Sequence, residues 1–196
     1  HIQGLTVERS DDTVLLDAAS RRNLELEVNL AGTPENTLAS VLDKTSTAMG
    51  SRCLRRWLNR PIRQRDVLQQ RLDAVATLIE NRSYTGLQET LKNIGDIERI
   101  VARIAIKTAR PRDLYTLGLS LAALPEIQLN LSSAGAGHAR DTEENQAGTP
   151  VATRITELAK QISEHPQTLD LLRRAVVENP PVVIRDGGVI ATGYDN

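Results

Sequence analysis

Residues 87–124 read LQETLKNIGDIERIVARIAIKTARPRDLYTLGLSLAAL. Two apolar series run through this stretch: Leu87, Leu91, Ile94, Ile97, Val101 and Ile104, then Leu114, Leu117, Leu121 and Leu124. Steps of three and four residues place each series on one side of a helix with 3.6 residues per turn. Pro111 stands between them, where its fixed φ and missing N–H suit the first position of a new helix. Consecutive amphipathic helices must bury their stripes against other helices, so the segment predicts helix-on-helix packing.

The same period extends in both directions. Leu68, Leu72, Val75 and Ile79 predict a long helix with that face inward. Cys53, Leu54, Trp57 and Leu58 form the apolar face of a shorter helix that Thr47 caps and Pro61 ends. Leu38, Val41 and Leu42 make one further helical turn. Beyond residue 150, Val151, Ile155, Leu158 and Ile162 predict one helix, and Leu169, Leu172 and Val176 another, with Pro166 between them. Residues 132–150 are small and polar and read as a mobile surface loop.

A minor β signal accompanies the helices. Leu5, Val7 and Thr13–Leu16 read as extended, and Asp17 as the N-cap of a short helix through Arg22. Leu24, Leu26 and Val28 alternate with Glu25 and Glu27, as a strand does. Val182–Ile184 and Val189–Ala191 flank Arg185-Asp186-Gly187-Gly188 as a β-hairpin would. The expected fold class is mainly α: a helical bundle core with a small β element of short N-terminal strands and a C-terminal β-hairpin.

Composition narrows the function. With no Phe, one Trp and three Tyr, the core must be aliphatic, which argues against modules that stack bases on aromatic platforms. A single cysteine excludes an internal disulfide and a Cys-based zinc site, and fits a reducing, cytoplasmic setting. No apolar run approaches the roughly 20 residues of a membrane span, so no membrane partner is expected. The lack of an initiator Met and the abrupt end after a strand-like run suggest a fragment.

No Gly-x-x-x-x-Gly-Lys-[Ser/Thr] or Gly-x-Gly-x-x-Gly motif is present. His1, His138 and His165 lack ligand spacing, and Cys53 reads as a packed thiol. Asp96 and Glu98 read as a helix surface with local pairing to Arg99. No catalytic, cofactor-binding or metal-binding residue is therefore expected. Charge is the one uneven property. Residues 50–112 hold fourteen basic and six acidic groups, while both flanks are acidic. Within that block Arg52, Arg55, Arg56, Arg60, Arg63 and Arg65 cluster. The first four are the candidate phosphate contacts; the competing reading is a solvated face balanced by acids from the flanking thirds.

The run Glu35-Asn36-Thr37-Leu38-Ala39-Ser40-Val41-Leu42-Asp43, with Met49-Gly50-Ser51-Arg52 and Leu54-Arg55-Arg56-Trp57-Leu58, closely resembles the bacterial MutS DNA mismatch-repair family. Leu16–Glu25, Gly95–Ile100 with Arg103, Ala109–Leu114, and Pro180–Ile190 with Gly193-Tyr194 resemble further parts of it, in the same order. The resemblance implies a connector-to-core junction over 1–16 and the first part of a helical core, or lever, domain over 17–196. It implies a parent that is a homodimeric, DNA-dependent ATPase using ATP and Mg. That parent would bind mismatched duplex DNA and mismatch-repair partner proteins. The family's Phe-x-Glu mismatch reader cannot lie in a chain without Phe. The segment is thus expected to link ATPase and DNA clamp structurally, without enzymatic activity of its own. The alternative is a helical module that binds DNA non-specifically through the basic 52–65 face.

Overall fold

Prolines and short polar side chains set the helix starts. The computed structural model describes residues 12–138 and 153–194, which form nine α-helices. These are α1 Ala18–Asn23, α2 Leu38–Leu42, α3 Ala48–Asn59, α4 Arg65–Glu80, α5 Tyr84–Leu91, α6 Ile97–Ala105, α7 Pro111–His138, α8 Thr153–Gln161 and α9 Pro166–Ala175. Two compact units result, one from residues 1–45 and 50–69, the other from 46–49 and 70–196. The expected extended run at Leu5 and Val7, and the 139–150 part of the expected loop, lie outside the described residues.

The first unit is held mainly by local hydrogen bonds. Asp17 caps α1, its carboxylate accepting the Ser20 N–H at 2.6 Å. Residues 24–28 are not a strand, because Glu25 turns into the left-handed region at φ 46°. Its N–H donates to Arg22 O and that of Leu26 to Arg21 O, closing α1 with a Schellman turn and burying Leu26. The alternation of Leu24, Leu26 and Val28 is thus broken by backbone geometry. Asn29 organises the next loop: its side chain accepts the Thr33 N–H and donates to Thr33 Oγ1 and Glu35 O. Thr37, also buried, caps α2 through the Ser40 N–H. In α2, Ala39 is buried while Leu38, Val41 and Leu42 face outward. Thr13 makes only an isolated bridge with Ile62.

The second unit is built on α7. Pro111 is its first residue, and Asp113 accepts the Arg110 N–H at 2.9 Å. Leu117 and Leu121 pack with Ile100 of α6, bordered by Leu169 and Leu172 of α9. Ala123 and Ile127 pack with Ile94, bordered by Leu87 and Leu91 of α5. Ala134 packs with Ala74 of α4 and Ile155 of α8. Helix α7 runs on through Ser132–His138, where a loop was expected. The buried contact of Ala134 accounts for this: a small residue allows close helix approach, and tertiary packing outweighs polar composition.

Two further expectations are corrected here. The stripe Leu68, Leu72, Val75 and Ile79 does not face the core: these residues are 39–63% exposed. Helix α4 instead buries Ala74 and Thr77, with Leu78 beside them. The C-terminal hairpin does not form either. Ile184–Asp186 is a 3-10 turn, followed by Gly187 and Gly188 at φ 71° and 65°. The second run pairs with the end of α9: Val177 N–H donates to Val189 O and Ala191 N–H to Ala175 O. An isolated two-stranded hairpin is marginal in water, and this backbone partner was available. Among the described residues there is no β-strand, only the bridges Thr13–Ile62 and Val176–Ile190.

One close approach fixes the α5–α6 corner on α7. Gly95 N–H donates to Ser120 Oγ at 2.9 Å, and this buried hydroxyl donates to Thr116 O at 2.7 Å. A Cβ at residue 95 would collide with the Thr116 methyl group. Gly95→Ala is therefore expected to destabilise the chain by about 1–3 kcal/mol. Urea unfolding checks this; an unchanged midpoint would show that Thr116 can step aside freely.

Candidate functional site

Helix α3 carries the candidate arginines because its polar positions repeat every four residues. Arg52, Arg56 and Arg60 form a row at i, i+4 and i+8, with Arg60 extending the last turn through its N–H to Arg56 O. Arg56 and Arg60 are exposed, and Arg52 is half-buried. Arg52, Arg60 and Trp57 also make interactions within the protein. Arg63 and Arg65 lie beyond the helix, both exposed.

Arg55 lies off this row and has a different environment. Its guanidinium sits 3.5 Å from Glu27 and 3.7 Å from Asp43. Asp43 is the centre of a small polar cluster. It accepts from the Ser51 hydroxyl, from the Thr45 hydroxyl at 2.6 Å and from the Thr45 N–H at 3.3 Å. The Ser51 hydroxyl, then the Thr45 hydroxyl, hold the Asp43 carboxyl below its usual pKa, with help from Arg55. This arrangement anchors the start of α3 to the segment after α2. It supplies no acid–base pair suited to catalysis, since each hydroxyl donates to a carboxylate already stabilised as the anion.

Sequence reasoning named Arg55 but missed Asp43, its partner twelve residues earlier. The Asp43-x-Thr45 spacing was the available signal, because an aspartate commonly accepts the N–H two residues on. A depression of about 610 Å³ in the same unit is lined by residues that include Leu16, Leu26, Val28, Arg21 and Arg22. Its lining includes no hydroxyl, thiol or imidazole. Among the described residues, no three His, Cys, Asp or Glu side chains converge as metal ligands would. None of the described helices is long and apolar enough to cross a membrane.

In the second unit, Arg103 and Asp113 form a bidentate ion pair. Nε and Nη2 of Arg103 donate to the two carboxylate oxygens at 2.8 and 2.6 Å. The pair ties the end of α6 to the start of α7 across the turn at Lys107, whose φ is 58°. On α6, Asp96 is the N-cap, accepting the Arg99 N–H at 3.3 Å and pairing with its guanidinium at 3.6 Å. These contacts assign structural roles to all four side chains.

The protein-family model described as MutS domain III matches residues 19–193 of the chain.

The Arg103–Asp113 pair makes stability depend on pH. Hydrogen bonds from Arg103, then the Arg110 N–H, depress the Asp113 pKa. Its stabilisation is complete above the unfolded value of about 3.9 and is lost as pH falls through the depressed folded value. Asp113→Asn is therefore expected to be less stable than the parent sequence at pH 7, and the gap to close in acid. Urea midpoints at both pH values test this; a pH-independent gap would mean that Asp113 acts through shape rather than charge.

Proposed function

Because the chain belongs to the MutS domain III family, we propose that it is a core segment of a mismatch-repair protein and links that protein's ATPase to its DNA clamp. The observation that best supports a mechanical role is the sharing of α7 among all three buried clusters of the second unit. A displacement of α6 or α9 reaches α5 or α8 largely through this helix. Close-packed interiors respond by shifting between discrete arrangements rather than by deforming smoothly, which is what a transmission element requires.

On this reading the chain performs no catalysis. ATP hydrolysis and the Mg it uses belong to another part of the parent, as do mismatch reading and the parent's dimer contacts. Leu91 offers a handle on the mechanical role, since it borders the Ile94–Ala123–Ile127 cluster. In the parent protein, Leu91→Ala is expected to cost about 2–3 kcal/mol of stability and to slow or uncouple ATP-dependent release of DNA. Unchanged release despite measurable destabilisation would remove this cluster from the transmission route.

The second reading is non-specific DNA binding through α3, and the exposed Arg56 and Arg60 favour it. Arg55 is the weaker candidate, being tied to Glu27 and Asp43. If the row touches phosphates, Arg56→Ala with Arg60→Ala should reduce the slope of log K against log salt by about 2. Fluorescence anisotropy with matched and mismatched duplexes at several salt concentrations measures it. An unchanged slope would leave the row as a solvated face. The same preparation, given ATP and Mg, is expected to release no phosphate, and genuine turnover would overturn the assignment of catalysis elsewhere.

A further inference from the structure

We infer that the α7–α9 face of the second unit docks onto the same face of a second copy of this chain, about a two-fold axis. A depression of about 350 Å³ lies on this face. Its lining includes Tyr115, Gly118, Leu119 and Ala122 of α7, Leu172 of α9, and Val176 just after α9. That volume is at the low end for ligand pockets and more than one leucine side chain needs. Leu119 is 49% exposed. Leu119 and Ala122 also line a second depression, of about 530 Å³, together with residues 92–95. A large apolar side chain common to two hollows acts as a ridge with a groove on either side, and ridges of one helix pack into grooves of another. The face therefore offers both halves of one contact: a leucine to insert and a hollow to receive it.

Charge selects a second copy as the occupant. Arg173 and Glu178 also line the first depression, and both are exposed. Among the described residues, neither side chain has an ion-pair or hydrogen-bond partner. Other charged groups nearby are committed: Arg174 pairs with Asp170 at 2.8 Å, and Lys92 with Glu89 at 2.6 Å. Glu126, at the second depression, accepts from the Thr90 hydroxyl at 3.0 Å. Opposite charges left open at one hollow make the surface complementary to itself. A two-fold axis passing between them sets Arg173 of each copy opposite Glu178 of the other, so the pair forms twice, and turns each Leu119 toward the other copy's hollow. A partner carrying charge of one sign only would meet its own sign at one of the two positions.

This contact is additional to the parent's dimer contacts, which the transmission reading places elsewhere, and it does not rest on that reading. Its extent puts it among weak interfaces, below about 1,200 Å² in total. Sedimentation equilibrium of the 196-residue chain is expected to show monomer and dimer with a Kd below about 1 mM. Arg173→Glu alone and Glu178→Arg alone should each raise that Kd about tenfold or more, because each sets two like-charge pairs in the contact. An equal mixture of the two variants should associate again, as a heterodimer, since each supplies the charge that the other lacks. The chain carrying both substitutions should recover as well. Leu119→Asp, at an exposed position, should abolish the dimer, and circular dichroism checks that each variant keeps its helices. A monomer up to about 1 mM would overturn the inference. So would association that none of these substitutions alters, which would assign the contact to another face, such as Leu72, Val75 and Ile79 of α4. Loss in the single variants without recovery in the mixture or the double variant would show that the two charges do not meet across copies, and would overturn it equally.

Discussion

Burial around one helix is the constraint on which the second unit depends. Each of its three clusters takes residues from α7: Leu117 and Leu121, Ala123 and Ile127, then Ala134. Different sides of α7 receive different neighbours, so no single apolar stripe could describe it. Mixed surfaces of this kind belong to a helix surrounded by others rather than lying at the edge. Small side chains make this possible, since Gly95, Ala123 and Ala134 let neighbouring backbones come close where leucines would hold them apart.

Charge is arranged by the same economy of short contacts. Ion pairs join the basic middle block to both of its acidic flanks. Arg55 meets Glu27 and Asp43 from the first flank, and Arg103 meets Asp113 from the second. Neutralisation between segments accounts for part of the basic excess. On α3, Arg56 and Arg60 keep exposed side chains.

Helical periodicity, prolines and caps were readable because they act over four residues or fewer. Asp17, Pro111 and the stripe from Leu87 to Ile97 show this. Which side of α4 faces inward was not readable. Leu72, Val75 and Ile79 look like a core face, but the partners waiting at Ala134 and Ile155 fit the narrower Ala74 and Thr77 side. The hairpin failed for a related reason: the β-branched run at Val189 found its hydrogen bonds at Ala175 and Val177. At the candidate site, four-residue spacing brought Arg52, Arg56 and Arg60 onto one row. The Asp43 cluster depends on a turn that no periodic pattern encodes.

Helix α4 has a further consequence during synthesis on the ribosome. Its inward residue Ala74 rests partly on Ile155, about eighty residues later in the chain. At the usual 5–20 residues per second, roughly 4–16 s pass before that partner has been made. Until Ala134 and then Ile155 have been made, the Ala74 side of α4 lacks its partners, and the Leu72–Val75–Ile79 side stays largely exposed after they arrive. The nascent chain thus carries an uncovered apolar helix face until translation has passed α7 and reached α8.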